Sequence, residues 1–159
     1  MLLATILLTL SAFASALPPP AKRCNALLEN TPWIIRNLTA FQPAPDSQSD
    51  AFIAFHFCDV NPGLELETTC ARNAPADSSG QSVVDPTTYF ACEGNQVRFI
   101  YSGDELSLER SYVDDCLGAY PYNHGIAGGH ASTDVVNTMS AAGNTCTQDV
   151  LSVKITELW

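Results

Sequence analysis

Carboxylates are the side chains of this sequence best suited to acid–base chemistry, because glycoside hydrolases place a pair of them around one bond. The closest pairs are Asp104-Glu105 and Asp114-Asp115. Neighbours on a strand point to opposite faces of a sheet, so neither pair would aim both groups at one substrate. The short motifs of serine hydrolases, phosphate-binding loops and zinc proteases do not occur in the chain. We therefore predict no catalytic residues and no enzyme, with a secreted carboxylate-based hydrolase as an alternative.

Histidines are the next candidates, and the chain has three, His56, His124 and His130. The last two lie in a glycine-rich stretch, where a zinc or copper ion would need a third ligand such as Asp114 or Asp115. Their spacing matches no known ligand pattern, and exposed or hydrogen-bonded histidines are commoner than metal ligands. We predict neither a metal site nor a cofactor.

Tyr120 and Tyr122 flank a proline in the same stretch, apart from the aromatic residues that recur at core spacing. Exposed tyrosine is favoured at interfaces, which makes these two candidate ligand-binding residues. A loop that folds back and caps the fold is the other interpretation. The sequence does not decide between the two.

Cysteine usage indicates an oxidising compartment, because all six cysteines follow the N-terminal apolar stretch and none forms a close metal-binding pair. Residues 71–86 are polar, and a cross-link across them would remove roughly 3 kcal/mol of chain entropy from the unfolded state. We predict disulfides within three pairs, namely Cys70–Cys92 across that stretch, Cys116–Cys146 across the glycine-rich stretch, and Cys24–Cys58 from the remaining two.

The N-terminal residues predict secretion. Residues 2–16 are largely apolar and uncharged, and Ala14-Ser15-Ala16 fits a signal-peptidase site. The apolar run is too short for a membrane anchor. We assign residues 1–16 to a signal peptide, 17–32 to an N-terminal arm or a pro-segment that ends near the dibasic Lys22-Arg23, and 33–159 to one β domain. An extracellular protein is expected.

Asn37-Leu38-Thr39 is an N-glycosylation sequon, and in a secreted protein we expect it to be used with the glycan pointing outward. An unused sequon within a strand is the alternative. The formal net charge of −10 argues against nucleic-acid binding and against a basic membrane-surface module, since both rely on lysine and arginine.

Short alternating stretches predict β-strands separated by turn-rich loops. A change of apolar parity at Arg36-Asn37 predicts a β-bulge. Residues 51–58 are apolar on both faces, which predicts burial on both sides, and residues 71–86 and 116–129 are expected to be loops. No segment has a convincing helical period, so the fold class is all-β, an antiparallel barrel or sandwich stapled by disulfides. The predicted strands cover residues 33–41, 51–58, 64–70, 87–91, a hairpin at 96–113 that turns at Gly103-Asp104 and has one solvated face, 133–139 and 150–158.

The order of these pieces resembles the Alt a 1-like family of small secreted fungal proteins. The resemblance implies a disulfide-stabilised antiparallel β-barrel in a group that includes allergens and proteins that elicit or suppress plant defence. It also implies a host defence or cell-wall protein, or a small phenolic ligand, as partner, and it transfers no catalytic residue. We therefore expect a secreted, non-catalytic effector-like or elicitor-like protein, with a carrier of small apolar ligands as an alternative. The resembling runs are WIIRNLTAF at 33–41, AFIAFHF at 51–57, NPGLELETTC at 61–70, YFACEGNQVRFIY at 89–101, LSLERSYVDDCLG at 106–118 and LSVKITEL at 151–158.

Overall fold

The computed structural model describes residues 31–75 and 82–159. These residues form nine antiparallel strands in a curled sheet that makes a nearly closed barrel, which confirms the predicted all-β fold. The predicted signal peptide and most of the predicted arm lie outside the described residues. The strands are β1 (Trp33–Pro43), β2 (Ala51–Asp59), β3 (Leu66–Ala74), β4 (Asp85–Ala91), β5 (Val97–Tyr101), β6 (Glu105–Val113), β7 (His124–Ser132), β8 (Val136–Ser140) and β9 (Gly143–Leu158), with short 3₁₀ turns at Glu93–Asn95 and Asp115–Leu117.

The sheet runs in the order β3-β2-β1-β9-β7-β6-β5-β4, and β8 pairs with β9. The long strand β9 joins the two halves, because residues 143–153 pair with β1 and residues 154–158 pair with β7. No helix among the residues that the structure covers is long and apolar enough to cross a membrane. Strand β9 begins earlier than predicted, and its predicted inward residues Leu151, Val153 and Ile155 are buried.

A bulge in β1 brings two apolar sets of different parity to the same side of the sheet, as the sequence predicts. The register of β1 against β2 shifts between Arg36 and Thr39, and Asn37 has a φ of 54°. Asparagine adopts this left-handed conformation more readily than most residues. The residues on either side of the bulge that fill the interior are Trp33, Ile35, Leu38 and Ala40.

Strands β3 and β4 end the strand order, and side chains join them. Cys70 and Cys92 form a disulfide with their Cα atoms 4.2 Å apart, which confirms that predicted pair. The Arg72 guanidinium lies 3.7 Å from the centroid of the Phe90 ring and 3.8 Å from a carboxylate oxygen of Asp85. These contacts close the barrel where the backbone ladder stops. The loop predicted at 71–86 begins later than expected, because β3 continues to residue 74.

The other predicted cysteine pairs are wrong, because Cys58 and Cys146 are free thiols. Cys58 is buried within the ladder of β2, and the Cys146 Sγ lies 3.0 Å from the side-chain oxygen of Asn137 on the neighbouring β8. Strand pairing therefore already holds both residues without a cross-link. Cys116 is disulfide-bonded, to neither of these two, and Cys24 lies outside the described residues.

Aromatic side chains fill the interior of the barrel. The ring centroids of Trp33 and Phe57 are 5.5 Å apart, and Phe55 meets Phe99 edge-on at 5.0 Å. Each of these four side chains is 3% exposed or less. The prediction that β2 is buried on both sides is wrong, since Phe52 on its other face is 37% exposed. The outer face of this antiparallel sheet meets water, as is common for such sheets.

A buried ion pair lies among these apolar residues. The sequence does not predict it, because the alternation of β6 indicates only that one face of this strand is solvated. Arg110 is 5% exposed and pairs with Asp59, which is 2% exposed. Asp59 also accepts hydrogen bonds from Trp33 Nε1 at 2.9 Å and from the backbone and side-chain nitrogens of Asn61 at 2.8 and 2.7 Å. The guanidinium donates to the Leu64 carbonyl as well. Burial lowers the pKa of Arg110 to about 10.

Strand β7 replaces the second half of the loop predicted at 116–129. Its glycines permit close strand packing rather than turns. A Cβ added at Gly129 would lie 2.4 Å from the Lys154 carbonyl oxygen, and one at Gly128 would lie 2.8 Å from the Trp159 ring. Glycine-rich composition therefore misleads here, because it marks close approach within a sheet.

Candidate functional site

The two candidate tyrosines lie in a surface loop at residues 118–123, which we call the tyrosine loop. Tyr120 and Tyr122 are 78% and 77% exposed, so their rings do not cap the barrel. The Tyr122 amide donates to the Ala119 carbonyl at 2.9 Å, and the His124 amide donates to the Pro121 carbonyl at 3.2 Å. The Tyr120 ring meets the His124 ring edge-on, with the centroids 5.4 Å apart. The loop therefore presents two tyrosines on a hydrogen-bonded backbone.

The two predicted carboxylate pairs occupy opposite ends of β6. Asp104 and Glu105 lie at the turn that begins the strand, and Asp114 and Asp115 follow its last residue. A strand of this length separates them by roughly 30 Å. Asp114 caps a 3₁₀ turn by accepting from the Cys116 amide at 2.8 Å. The structure thus gives Asp114 a local structural role and does not bring the two pairs together.

The histidines are also separated. His124 and His130 are six residues apart on β7, roughly 20 Å along an extended strand. His56 lies on β2, with Nε2 3.6 Å from a carboxylate oxygen of Glu67. In residues 31–75 and 82–159, no three His, Cys, Asp or Glu side chains form a cluster suited to a metal ion.

Asn37 is exposed at the bulge of β1. Its side chain is therefore accessible from outside the barrel. Glycosylation at this position stays a prediction.

A row of outward-facing side chains that the sequence analysis missed crosses β4, β5, β6, β7 and the end of β9. Arg98 pairs across the ladder with Glu109, which in turn lies opposite Gly128 on β7. Tyr89 on β4 lies beside Arg98, with the guanidinium 4.9 Å from the ring centroid. At the other end of the row, the ring of Trp159 lies over Gly128. The row thus has an aromatic ring at each end and an ion pair in its middle.

The central ion pair is held in place by its neighbours. The Arg98 guanidinium donates to the Glu109 carboxylate through Nε and Nη2. Glu109 retains only 12% side-chain exposure, whereas Arg98 retains 55%. Burial, together with a hydrogen bond to Glu109, raises the pKa of Tyr89 to about 12. Glu109 therefore serves two neighbouring side chains within the protein.

An irregularity in β9 brings extra polar groups to this face. The register between β7 and β9 shifts so that Gly128 pairs with Glu157 and Gly129 pairs with Ile155. Thr156, which lies between these two partners in sequence, and Glu157 line the same cavity as a result. Among the residues that the structure describes, Glu157 forms no ion pair.

Two cavities lie on this outer face and share Glu109 in their linings. The first, of about 130 Å³, lies between Tyr89 and Trp159. The second, of about 230 Å³, lies beside Arg98 and Ile126. We call the combined surface the outer groove. Its other lining residues are mostly polar or glycine, namely Asn95, Gln96, Ser107, Leu108, Ser111, Gly128, Gly129, His130, Thr156 and Glu157.

The outer groove could not be identified from spacing alone. Alternation on β6 indicates that Ser107, Glu109 and Ser111 share a face, and this signal is present in the sequence. The neighbours of that face come from β4, β7 and β9, and their register depends on long-range pairing. Because of the irregularity in β9, Glu157 lines the outer groove, whereas simple alternation from Ile155 would turn it inward.

The comparisons with known proteins bear on the fold. No protein-family model matches the sequence, and no curated protein matches it. Among solved structures, the crystal structure of the Alternaria alternata major allergen Alt a 1 is similar, with a TM-score of 0.52 and 16% sequence identity. The likeness covers 80% of this chain and 94% of that one. The chain therefore has the Alt a 1-like fold, as the resemblance of its sequence to that family implies.

Proposed function

We propose that this chain is a secreted, non-catalytic fungal protein of the effector-like or elicitor-like kind, which acts by binding a host or cell-wall protein through the tyrosine loop. The observation that carries the proposal is the pair Tyr120 and Tyr122, each more than three-quarters exposed on a hydrogen-bonded loop. Tyrosine is enriched at interfaces because one residue supplies a large apolar ring and a hydroxyl.

The local hydrogen bonds of the loop support this assignment. A loop that is already ordered loses less conformational entropy when a partner binds than a disordered one does. The amides of Asp114, Tyr122 and His124 each donate to a carbonyl within residues 119–123. The two rings are thus displayed by a backbone whose polar groups are engaged.

Secretion is supported by the apolar residues 2–16 and by the Cys70–Cys92 disulfide, since structural disulfides are typical of oxidising compartments. The similar structure is that of a fungal allergen. That likeness supports the fold, and we propose a secreted fungal character for this chain as well.

Several observations favour binding over catalysis. The predicted carboxylate pairs are far apart, and Glu109 in the outer groove is occupied by Arg98. Burial raises the pKa of the Cys58 thiol, and the neighbouring Glu67 raises this pKa further. A raised pKa disfavours the nucleophilic thiolate. Because side chains fill the barrel interior, the structure offers no support for a carrier of small apolar ligands in that interior.

The proposal is tested by quantitative capture from host apoplastic fluid and cell-wall extract on immobilised protein. The test variant is Tyr120→Ala/Tyr122→Ala, which removes both exposed rings. The matched control is Val136→Ala/Met139→Ala on β8, because those side chains are 68% and 80% exposed at another place.

We expect a specific protein to be retained by the native protein and by the β8 control. Since interface tyrosines are frequent hot spots worth about 2 kcal/mol or more, the tyrosine variant should retain it at least about tenfold more weakly. Equal retention by all three proteins, or no saturable retention by the native protein, would contradict the proposal.

A further inference from the structure

We infer that the outer groove binds a neutral oligosaccharide, at a site separate from the tyrosine loop. The groove is bounded by two aromatic rings, Tyr89 and Trp159, which are 37% and 57% exposed. Gly128 carries no side chain, which lets the Trp159 ring lie close against the sheet at one edge of the groove. Such a surface admits a flat ligand that lies along the strands and contacts a ring on either side.

The chemistry between the rings matches a ligand rich in hydroxyl groups. Ser107 and Thr156 contribute hydroxyls to the first cavity, and Asn95 and Gln96 contribute amides to the second. Carbohydrates combine hydroxyls with apolar C–H faces, and those faces pack on aromatic rings. The first cavity is lined mostly by polar groups, so it lacks the predominantly apolar lining typical of sites for apolar ligands.

The charges at the groove favour an uncharged ligand over an anionic one. The positive charge of Arg98 is paired with Glu109, and the carboxylate of Glu157 adds a negative charge to the same cavity. The whole chain carries a formal net charge of −10. An anionic polymer such as polygalacturonate would be repelled, whereas an uncharged sugar chain meets no such cost.

The length of the groove favours several sugar units over one. The outward pairs Ser107–His130, Glu109–Gly128 and Ser111–Ile126 follow one another along β6 and β7. From Ser107 to Ser111 these pairs extend over roughly 13 Å along β6. A single sugar would occupy only part of this track.

The test is a titration of the secreted protein with cellohexaose, chitohexaose, laminarihexaose and polygalacturonate, followed by calorimetry and by tryptophan fluorescence. The main variant is Trp159→Ala. The matched control is Val150→Ala on β9, the strand that precedes Trp159, because Val150 is 60% exposed and lies outside the groove. A second variant, Tyr89→Ala, removes the ring at the other end, and circular dichroism checks that each variant folds.

We expect saturable binding of at least one neutral hexasaccharide, weakened at least about tenfold by Trp159→Ala and unchanged by Val150→Ala. Polygalacturonate should bind more weakly than the neutral chains. The inference is overturned if none of the neutral chains binds saturably, or if binding survives both Trp159→Ala and Tyr89→Ala.

The outcome is independent of the tyrosine loop. If Trp159→Ala still captures the protein partner while sugar binding is absent in all proteins, the oligosaccharide inference fails and the proposed function stands. If a hexasaccharide binds and is cleaved, product analysis will show it. Cleavage would overturn the non-catalytic proposal, and the groove would remain a sugar site.

Discussion

Substitution of Arg110 by leucine tests how the barrel tolerates a charge in its interior. Arg110→Leu leaves the Asp59 carboxylate buried at 2% exposure without its ionic partner. Removing one member of a buried ion pair costs about 3–5 kcal/mol, because the remaining charge is uncompensated. Trp33 and Asn61 still donate to Asp59, so we expect a value near the lower end, about 3 kcal/mol.

Urea unfolding followed by tryptophan fluorescence measures this loss. With a slope of about 2 kcal/mol per molar urea, the midpoint should fall by about 1.5 M, and the slope itself should stay the same. Arg36→Leu is the control, because Arg36 is exposed on β1 and its loss should change stability by less than about 0.5 kcal/mol.

The double variant Asp59→Asn/Arg110→Leu separates charge from packing. Removing the buried carboxylate charge takes away the uncompensated group, so the double variant should lose less stability than the sum of the two single variants, by at least about 1 kcal/mol. A loss below about 1 kcal/mol in Arg110→Leu, or strict additivity in the double variant, would refute the reasoning that the loss of Arg110 leaves an uncompensated buried carboxylate at Asp59.

Three further perturbations follow from the fold. Cys70→Ser/Cys92→Ser should lower the free energy of unfolding by about 3 kcal/mol, measured by urea unfolding, because it removes a cross-link across the gap between β3 and β4; an unchanged midpoint would contradict this role. Gly129→Ala should cost about 2 kcal/mol, because its Cβ would meet the Lys154 carbonyl at 2.4 Å; a thermal melting temperature equal to the native one would show that β7 and β9 can separate freely. Burial raises the pKa of Tyr101 to about 12. Since the unfolded value is about 10, the associated stability is present below about pH 10 and is lost as the pH rises towards 12. Tyr101→Phe should reduce that alkaline loss in unfolding curves recorded across the interval, and an identical pH dependence would argue against it.

Local sequence patterns predict much of the barrel, because the alternation of apolar and polar residues shows which face of most strands is buried. The parity change at Arg36-Asn37 located the bulge of β1, and the alternation in residues 150–158 identified the inward side of β9. The polar stretch between Cys70 and Cys92 identified one disulfide. In each case the signal lies within a short segment.

Features that depend on contacts between distant segments were missed. Asp59 and Arg110 lie 51 residues apart, and nothing in either segment alone indicates that they meet. The glycines of β7 predict a loop when they are considered alone. The structure shows that they allow the close approach of β9, which is a contact with another strand. Cys58 and Cys146 are free thiols, although the glycine-rich stretch suggests a partner for Cys146 and only Cys58 is left for Cys24, because neither consideration includes their places in the ladder.

The outer groove shows the same division. The outward facing of Glu109 is readable from β6, but Tyr89 and Trp159 reach the groove only through pairing in the sheet. By contrast, the tyrosine loop was identified from its composition, since two tyrosines around a proline lie outside any core pattern. Its exposure is a property that the structure supplies.

The most direct test of the central claim is a dose–response measurement of the defence reaction in plant tissue infiltrated with purified protein. The native protein and the Val136→Ala/Met139→Ala control should elicit or suppress the reaction at the same concentration. The Tyr120→Ala/Tyr122→Ala variant should require at least about tenfold more protein, because its recognition surface is removed. An unchanged dose–response curve for the tyrosine variant would contradict the claim that the protein acts by binding through this loop.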